Sequence, residues 1–229
     1  MELKVRDVAK LLGVSEKTIY RWLAERKIPA YRLHDQYRFS KAEVLEWAQA
    51  QRLTVAPEAL GEASPAQEVS LAQALQQGGI LYRLQGHEKT AVLRELVAAM
   101  PLPPGLDREF LYQVLVAREA LASTSIGDGI ALPHPRTPIL AAGAPPQVTL
   151  AFLQNPVDFG ALDGKPVFAL FAILAPSSAT HLKLLAKLAF ALKQDAFRSL
   201  IQAAAGRQEI LAQAAEIDAT LRSRQGGAA

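Results

Sequence analysis

One histidine stands between two prolines in the segment SIGDGIALPHPR, residues 125–136. Pro133 and Pro135 restrict the backbone on both sides of His134, while Gly127 and Gly129 permit close approach of a ligand or partner. Imidazole is largely neutral at pH 7 and keeps a lone pair on one nitrogen, which is what attack on phosphorus requires. A hydrogen bond to the other nitrogen would choose the tautomer. By residue type and spacing alone, the segment suits either a positioned nucleophile or a structural histidine in a Pro/Gly loop.

Other chemistries lack their residues. The chain has no HExxH, no second histidine at metal-ligand spacing and no GxxxxGK[ST], so neither metal-assisted nor nucleotide hydrolysis is supported. No metal and no cofactor are expected. The 229 residues include no cysteine, which excludes a disulfide scaffold, a thiolate metal site and a cysteine nucleophile, and suits a reducing compartment. The start, MELKVRD, has no apolar signal core. The longest uncharged stretch, 137–157, is broken by Pro138, Pro145, Pro146 and Pro156, and the apolar run 167–175 has the length of a buried strand. A soluble, cytoplasmic protein without membrane insertion is expected.

The elements that must position His134 can be traced along the chain. Helical periodicity at 71–77, 89–100, 107–121 and 179–193 alternates with strand-like runs at 80–84, 148–154 and 167–175, and the alanine-rich remainder, 196–221, reads as helical. This alternation predicts a layered α/β domain with a mixed sheet flanked by helices.

The first quarter of the chain differs. Residues 1–53 carry 11 Lys and Arg against 7 Asp and Glu, an excess of +4, whereas 54–229 are at −1, so the basic surplus that suits a polyanion sits at one end. Val8, Leu11 and Leu12 repeat at helical spacing, Gly13 suits a helix end, and Ser15 suits the cap of a second helix. In that helix Ile19, Trp22 and Leu23 face inward while Lys17, Thr18 and Arg21 face out. AYRL (30–33) and YRF (37–39) flank His34, a polar turn residue, as a hairpin wing bearing Arg32 and Arg38, and a helix over 41–51 with Val44, Leu45 and Trp47 facing inward closes the domain. The expected α/β chain therefore has a small N-terminal winged helix-turn-helix domain at 1–53, a linker at 54–68, the layered domain at 69–221 and a tail at 222–229.

The run AKLLGVSEKTIYRWLAERKIPAYRLHDQYRF (9–39) resembles the excisionase-type helix-turn-helix, a branch of the MerR-like winged modules. That resemblance implies a DNA partner, with Lys17, Thr18 and Arg21 toward bases or phosphates and Arg32 and Arg38 near the minor groove or phosphates. Single modules of this kind bind weakly, so a homo-oligomer is expected.

REALASTSIGDGIALPH (118–134) resembles the active-site signature of phosphotransferase-system (PTS) enzyme IIA type-2 domains, the fructose/mannitol type, with the nitrogen-regulatory members most similar. PVDFGALDGKPV (156–167) and THLKLLAKLA (180–189) follow in the family's order. The resemblance implies that His134 accepts a phosphoryl group from an HPr-type phosphocarrier. His181 would lie beside it, Arg118 would offset phosphate charge, and the hydroxyls of Ser123, Thr124 and Ser125 would act as local positioning groups. One departure stands out: the family usually has Gly, Ala or Cys after the active histidine. Here Pro135 removes an amide donor there and Arg136 supplies a charge.

Two functions fit this combination. The first is a PTS-linked regulator whose DNA binding responds to phosphorylation of His134. The alternative is a soluble phosphocarrier that passes phosphate to an enzyme IIB for sugar uptake, with the N-terminal module as a docking element. The acceptor would be a separate protein, because a chain without cysteine holds no phosphocysteine IIB domain.

Overall fold

Ser15, Ser70, Asp107 and Ser177 each precede an apolar helical run, and each side chain accepts a hydrogen bond from the amide three residues on, at 2.7–3.2 Å. Such caps satisfy an amide that the helix itself leaves unpaired, for about 1 kcal/mol apiece. The computed structural model describes residues 2–25, 27–33, 36–40, 43–44, 47–48 and 69–226, in two units, 1–66 and 67–229. The expected linker at 54–68 lies outside the described residues, as does His34.

In the first unit β1 (Glu2–Leu3) leads into α1 (Val5–Leu11), then α2 (Glu16–Ala24), β2 (Tyr31–Leu33) and β3 (Gln36–Ser40). Gly13, at φ 63°, makes the turn between the helices. Val8, Leu11, Leu12 and Ile19 are buried, and Trp22 meets Trp47 edge-on with centroids 5.0 Å apart. The hairpin β2–β3 forms the wing, and β1 adds an antiparallel strand on the far side of β3. That strand was not anticipated, because its two residues carry no legible alternation. Residues 43, 44, 47 and 48 are helical, with Val44 and Ala48 buried; Leu45 lies outside the described residues.

The second unit is a mixed five-stranded sheet flanked by helices. Its order along the chain is α3 (Leu71–Gly78), β4 (Ile80–Leu84), α4 (Lys89–Ala99), α5 (Arg108–Leu121), β5 (Ser125–Gly127), β6 (Ile130–Ala131), β7 (Gln147–Val157), β8 (Val167–Leu174), α6 (Ser178–Lys193), α7 (Asp195–Gln202) and α8 (Arg207–Gly226). The strands lie in the order β4-β7-β8-β6-β5, with β4–β7 and β6–β8 parallel and the other pairs antiparallel. β8 is central and buried along nearly its whole length, which explains its uninterrupted apolar run. Val92, Leu96, Leu111 and Leu115 from α4 and α5 join Leu170 and Leu174 in one core, each fully buried aliphatic chain contributing about 1.5–3 kcal/mol.

Two expectations change. The Pro/Gly loop at 125–136 contains a tight hairpin, β5–β6, whose strands are too short to show a period. The helical remainder at 196–221 is two helices. α7 ends where the Ala205 amide reaches the Leu200 carbonyl and Ala204 takes φ 45°, a Schellman-type close with alanine in the position glycine usually holds. α8 then runs to Gly226, through most of the stretch read as a tail.

A polar clasp ties the unit's two ends. Asp218 of α8 is buried; its Oδ2 accepts from Ser70 Oγ (2.8 Å) and the Ala72 amide (3.0 Å), and its Oδ1 pairs with Lys187 Nζ of α6 at 2.5 Å. Among the described residues no helix is long and apolar enough to cross a membrane.

Candidate functional site

The hairpin β5–β6 turns through Gly127, Asp128 and Gly129, all with positive φ (87°, 53° and 74°). A Cβ on Gly129 would lie 2.5 Å from Phe168 Cδ1 and 3.1 Å from the Pro166 carbonyl oxygen, so this position excludes any side chain. The segment 158–165 clips onto the hairpin tip. Asp163 Oδ2 accepts from the Asp128 amide at 2.8 Å, and Lys165 Nζ pairs with Asp128 Oδ1 at 2.8 Å. The Asp128 amide, joined by the amide and charge of Lys165, holds the Asp163 carboxyl below its ordinary value. The hairpin is thus gripped from outside the sheet as well as paired within it.

His134 follows β6 by three residues and is 3 % exposed. On one side the Leu132 amide donates to the Thr124 carbonyl at 2.9 Å; on the other the Ile173 amide of β8 donates to the Pro133 carbonyl at 3.0 Å. The backbone around the imidazole is therefore pinned to both neighbouring strands. Pro133 and Pro135 are buried with it.

The ring's tautomer is set by its own chain. His134 Nδ1 lies 2.6 Å from the Leu132 carbonyl oxygen. A carbonyl can only accept, so Nδ1 carries the proton and the neutral ring's lone pair resides on Nε2. The ring of His181, in the first turn of α6, lies 4.9 Å from that of His134, centroid to centroid, tilted by 46°. Two histidines 47 positions apart thus meet where α6 begins.

The remaining predicted residues take several places. Arg118, near the end of α5, is buried, and its Nη1 donates to the Ala122 carbonyl at 2.9 Å, satisfying a group at the helix terminus. The three hydroxyls face protein acceptors: Ser123 Oγ donates to Phe159 O (2.6 Å), Thr124 Oγ1 to Glu119 Oε2 (2.7 Å) and Ser125 Oγ to Ile130 O (3.2 Å). They fix the hairpin's root. Arg136 is exposed just beyond Pro135.

Spacing did not identify Glu119 or the Leu132 carbonyl. Glu119, next to Arg118 in the chain, is 5 % exposed, and its Oε2 also accepts from the Thr124 amide at 3.0 Å. Among the described residues its Oε1 makes no hydrogen bond and sits 3.6 Å from Lys89 Nζ, an ion pair beyond bonding distance. Among the described residues no group of three or more His, Cys, Asp or Glu is placed to hold a metal ion.

In the first unit Lys17 and Arg21 are exposed on the outer face of α2. Thr18 is only half exposed, with its amide and Oγ1 both engaged by Ser15. Arg38 is half-buried on β3 and donates to the Tyr37 carbonyl at 3.2 Å. Arg32 lies on β2, opposite Tyr37, but its side chain is outside the described residues.

Residues 73–216 match the family described as phosphoenolpyruvate-dependent sugar phosphotransferase system, EIIA 2, and residues 2–52 match a helix-turn-helix domain. The nitrogen regulatory protein of Pseudomonas aeruginosa is 39 % identical over 140 residues, covering 59 % of this chain and 88 % of that protein. That of Bradyrhizobium diazoefficiens is 35 % identical over 135 residues, 57 % of this chain and 85 % of the relative. The crystal structure of nitrogen regulatory protein IIA-Ntr from Neisseria meningitidis superposes with a TM-score of 0.52 at 28 % identity, over 64 % of this chain and 95 % of the other.

Proposed function

Because the chain belongs to the phosphoenolpyruvate-dependent sugar phosphotransferase system EIIA 2 family and carries a helix-turn-helix domain, we propose that it is a cytoplasmic regulator that takes phosphate on His134 and binds DNA as a homo-oligomer. The observation that carries the first half is the 2.6 Å contact between His134 Nδ1 and the Leu132 carbonyl, which leaves the lone pair on Nε2.

The chemistry follows from that arrangement. Nε2 attacks the phosphorus of a phosphohistidine on an HPr-type carrier. The new N–P bond forms as the donor's N–P bond breaks, and the leaving electron pair returns to the donor nitrogen. No proton has to move, because Nδ1–H stays on the Leu132 carbonyl, and that bond strengthens as the ring gains positive character. Such transfer depends on in-line positioning and on donors to the phosphoryl oxygens more than on covalent machinery. His181, whose ring lies 4.9 Å from that of His134, would supply one donor, and Arg118 and Arg136 would supply charge. The hydroxyls of Ser123, Thr124 and Ser125 would act as positioning groups at the hairpin's root, where they donate to protein acceptors.

The DNA-binding half rests on the exposed Lys17 and Arg21 of α2 and the basic excess of residues 1–53. A phosphoryl group on His134 adds about −1.5 to −2 charges, a change large enough to alter docking or DNA access. The alternative, a carrier feeding an enzyme IIB, predicts onward transfer to a cysteine of that partner.

The test is incubation with phosphoenolpyruvate, enzyme I and an HPr-type carrier, with the labelled residue mapped. Wild type is expected to label at His134, His134→Ala not at all, and His181→Ala about 100- to 1,000-fold more slowly. Label that persists in His134→Ala would overturn the assignment.

A further inference from the structure

Glu119 raises a physical question that a loop anchor alone does not answer. A buried carboxylate loses hydration, and its stability depends on the donors that replace water. Among the described residues the hydrogen bonds to Glu119 come from one residue, the amide and hydroxyl of Thr124, and both reach the same oxygen, Oε2. The other oxygen faces the more distant charge of Lys89, the first residue of α4. Fastening Thr124 this firmly therefore matters to the fold or to the site.

Thr124 leads directly to the histidine. Its carbonyl accepts from the Leu132 amide at 2.9 Å, beyond the last paired residue of the β5–β6 hairpin. The Leu132 carbonyl in turn accepts from His134 Nδ1. The route is Lys89, Glu119, Thr124, Leu132 and His134, and each link after the ion pair is a hydrogen bond of 3.0 Å or less. The peptide after Leu132 leads into Pro133 and has no N–H, so no hydrogen bond from that amide can orient the carbonyl. The backbone anchors that flank this carbonyl are the Leu132 amide, held by Thr124 at 2.9 Å, and the Pro133 carbonyl, held by Ile173 at 3.0 Å.

The direction has a chemical consequence. A free neutral imidazole favours the proton on Nε2, so holding it on Nδ1 requires a well-aimed acceptor. If the Leu132 carbonyl drifts, the proton returns to Nε2 and the lone pair leaves the atom that attacks phosphorus. We propose that Glu119 is a positioning residue for phosphoryl acceptance: through Thr124 it aims the Leu132 carbonyl at His134 Nδ1 and so keeps the lone pair on Nε2. This deepens the reading that His134 is the acceptor and rests on it for its functional meaning.

The test reads the His134 tautomer by nitrogen-15 NMR of the histidine side chains in the full chain, alongside the rate of labelling from the HPr-type carrier. Wild type is expected to show the proton on Nδ1. Glu119→Ala shifts the ring toward the Nε2–H form and slows labelling about 10- to 100-fold, the scale of a small misplacement at a reacting atom. Glu119→Gln, whose amide oxygen can still accept from Thr124, restores the Nδ1–H form and labels within about threefold of wild type. Thr124→Val, which removes only the hydroxyl link, falls between them and provides the measurement if Glu119→Ala does not fold. A purely structural anchor would lower the melting temperature and leave the tautomer unchanged; that outcome overturns the proposal. So does failure of Glu119→Gln to restore the tautomer, which would assign the effect to charge. If wild type takes no phosphate, the acceptor reading falls, while the tautomer comparison still decides what Glu119 does.

Discussion

An alanine at position 129 would need both a positive φ of 74° and space already filled by Phe168 Cδ1, 2.5 Å from its Cβ. The torsional strain and the overpacking together are expected to cost about 2–4 kcal/mol. Gly129→Ala should lower the urea midpoint accordingly and, by loosening the hairpin that carries His134, slow phosphorylation. Gly13→Ala has the same torsional difficulty but nothing within 4 Å of the new Cβ, so a loss of only about 1 kcal/mol is expected. Denaturation of the two variants separates packing from torsion. At this scale the histidine was legible because proline and glycine announce a constrained backbone. Its partner in the tautomer was not, because a backbone carbonyl leaves no residue type to read. Glu119 escaped for a related reason: burial of a carboxylate depends on what folds over it, and its bonding partner's hydroxyl looks in sequence like any other in a serine-threonine run.

Elements were read well where periodicity is long and poorly where it is short. α5, α6 and β8 lie within a few residues of their expected limits, because their apolar spacing persists over several turns or a full strand. β1, β5 and β6 have two or three residues each and no pattern to detect. The Asp218 clasp belongs to this scale too, since it joins α3, α6 and α8. Burial pushes the Asp218 carboxyl up, but Lys187, the Ala72 amide and Ser70 outweigh it and leave the group below its ordinary value. A carboxyl depressed in the folded state stabilises it fully above its unfolded value of about 3.9, and the contribution is lost as pH falls through the lower folded value. Asp218→Asn is therefore expected to cost about 2–4 kcal/mol at pH 7, with Lys187 left without its counter-charge. It should also show a smaller further loss than wild type between pH 5 and pH 3, which thermal melts across that interval will measure.

Over the whole molecule, charge reads more clearly than shape. The overall +3 conceals a basic first quarter: residues 1–53 carry an excess of +4, and the remainder is at −1. If Lys17 and Arg21 meet phosphates, alanine at either should weaken DNA binding across sequences alike and reduce the slope of log affinity against log salt by about 1. An unchanged slope would place those side chains away from the phosphates. What composition could not convey was the long-range closure of the second unit, because Ser70 and Asp218 are 148 positions apart. That separation has a consequence in time. During synthesis Ser70, the cap of α3, waits for its acidic partner until 148 more residues have been added. A chain halted before residue 218 would hold α3 and α6 without the carboxylate that joins them, so the second unit could not close however complete its sheet.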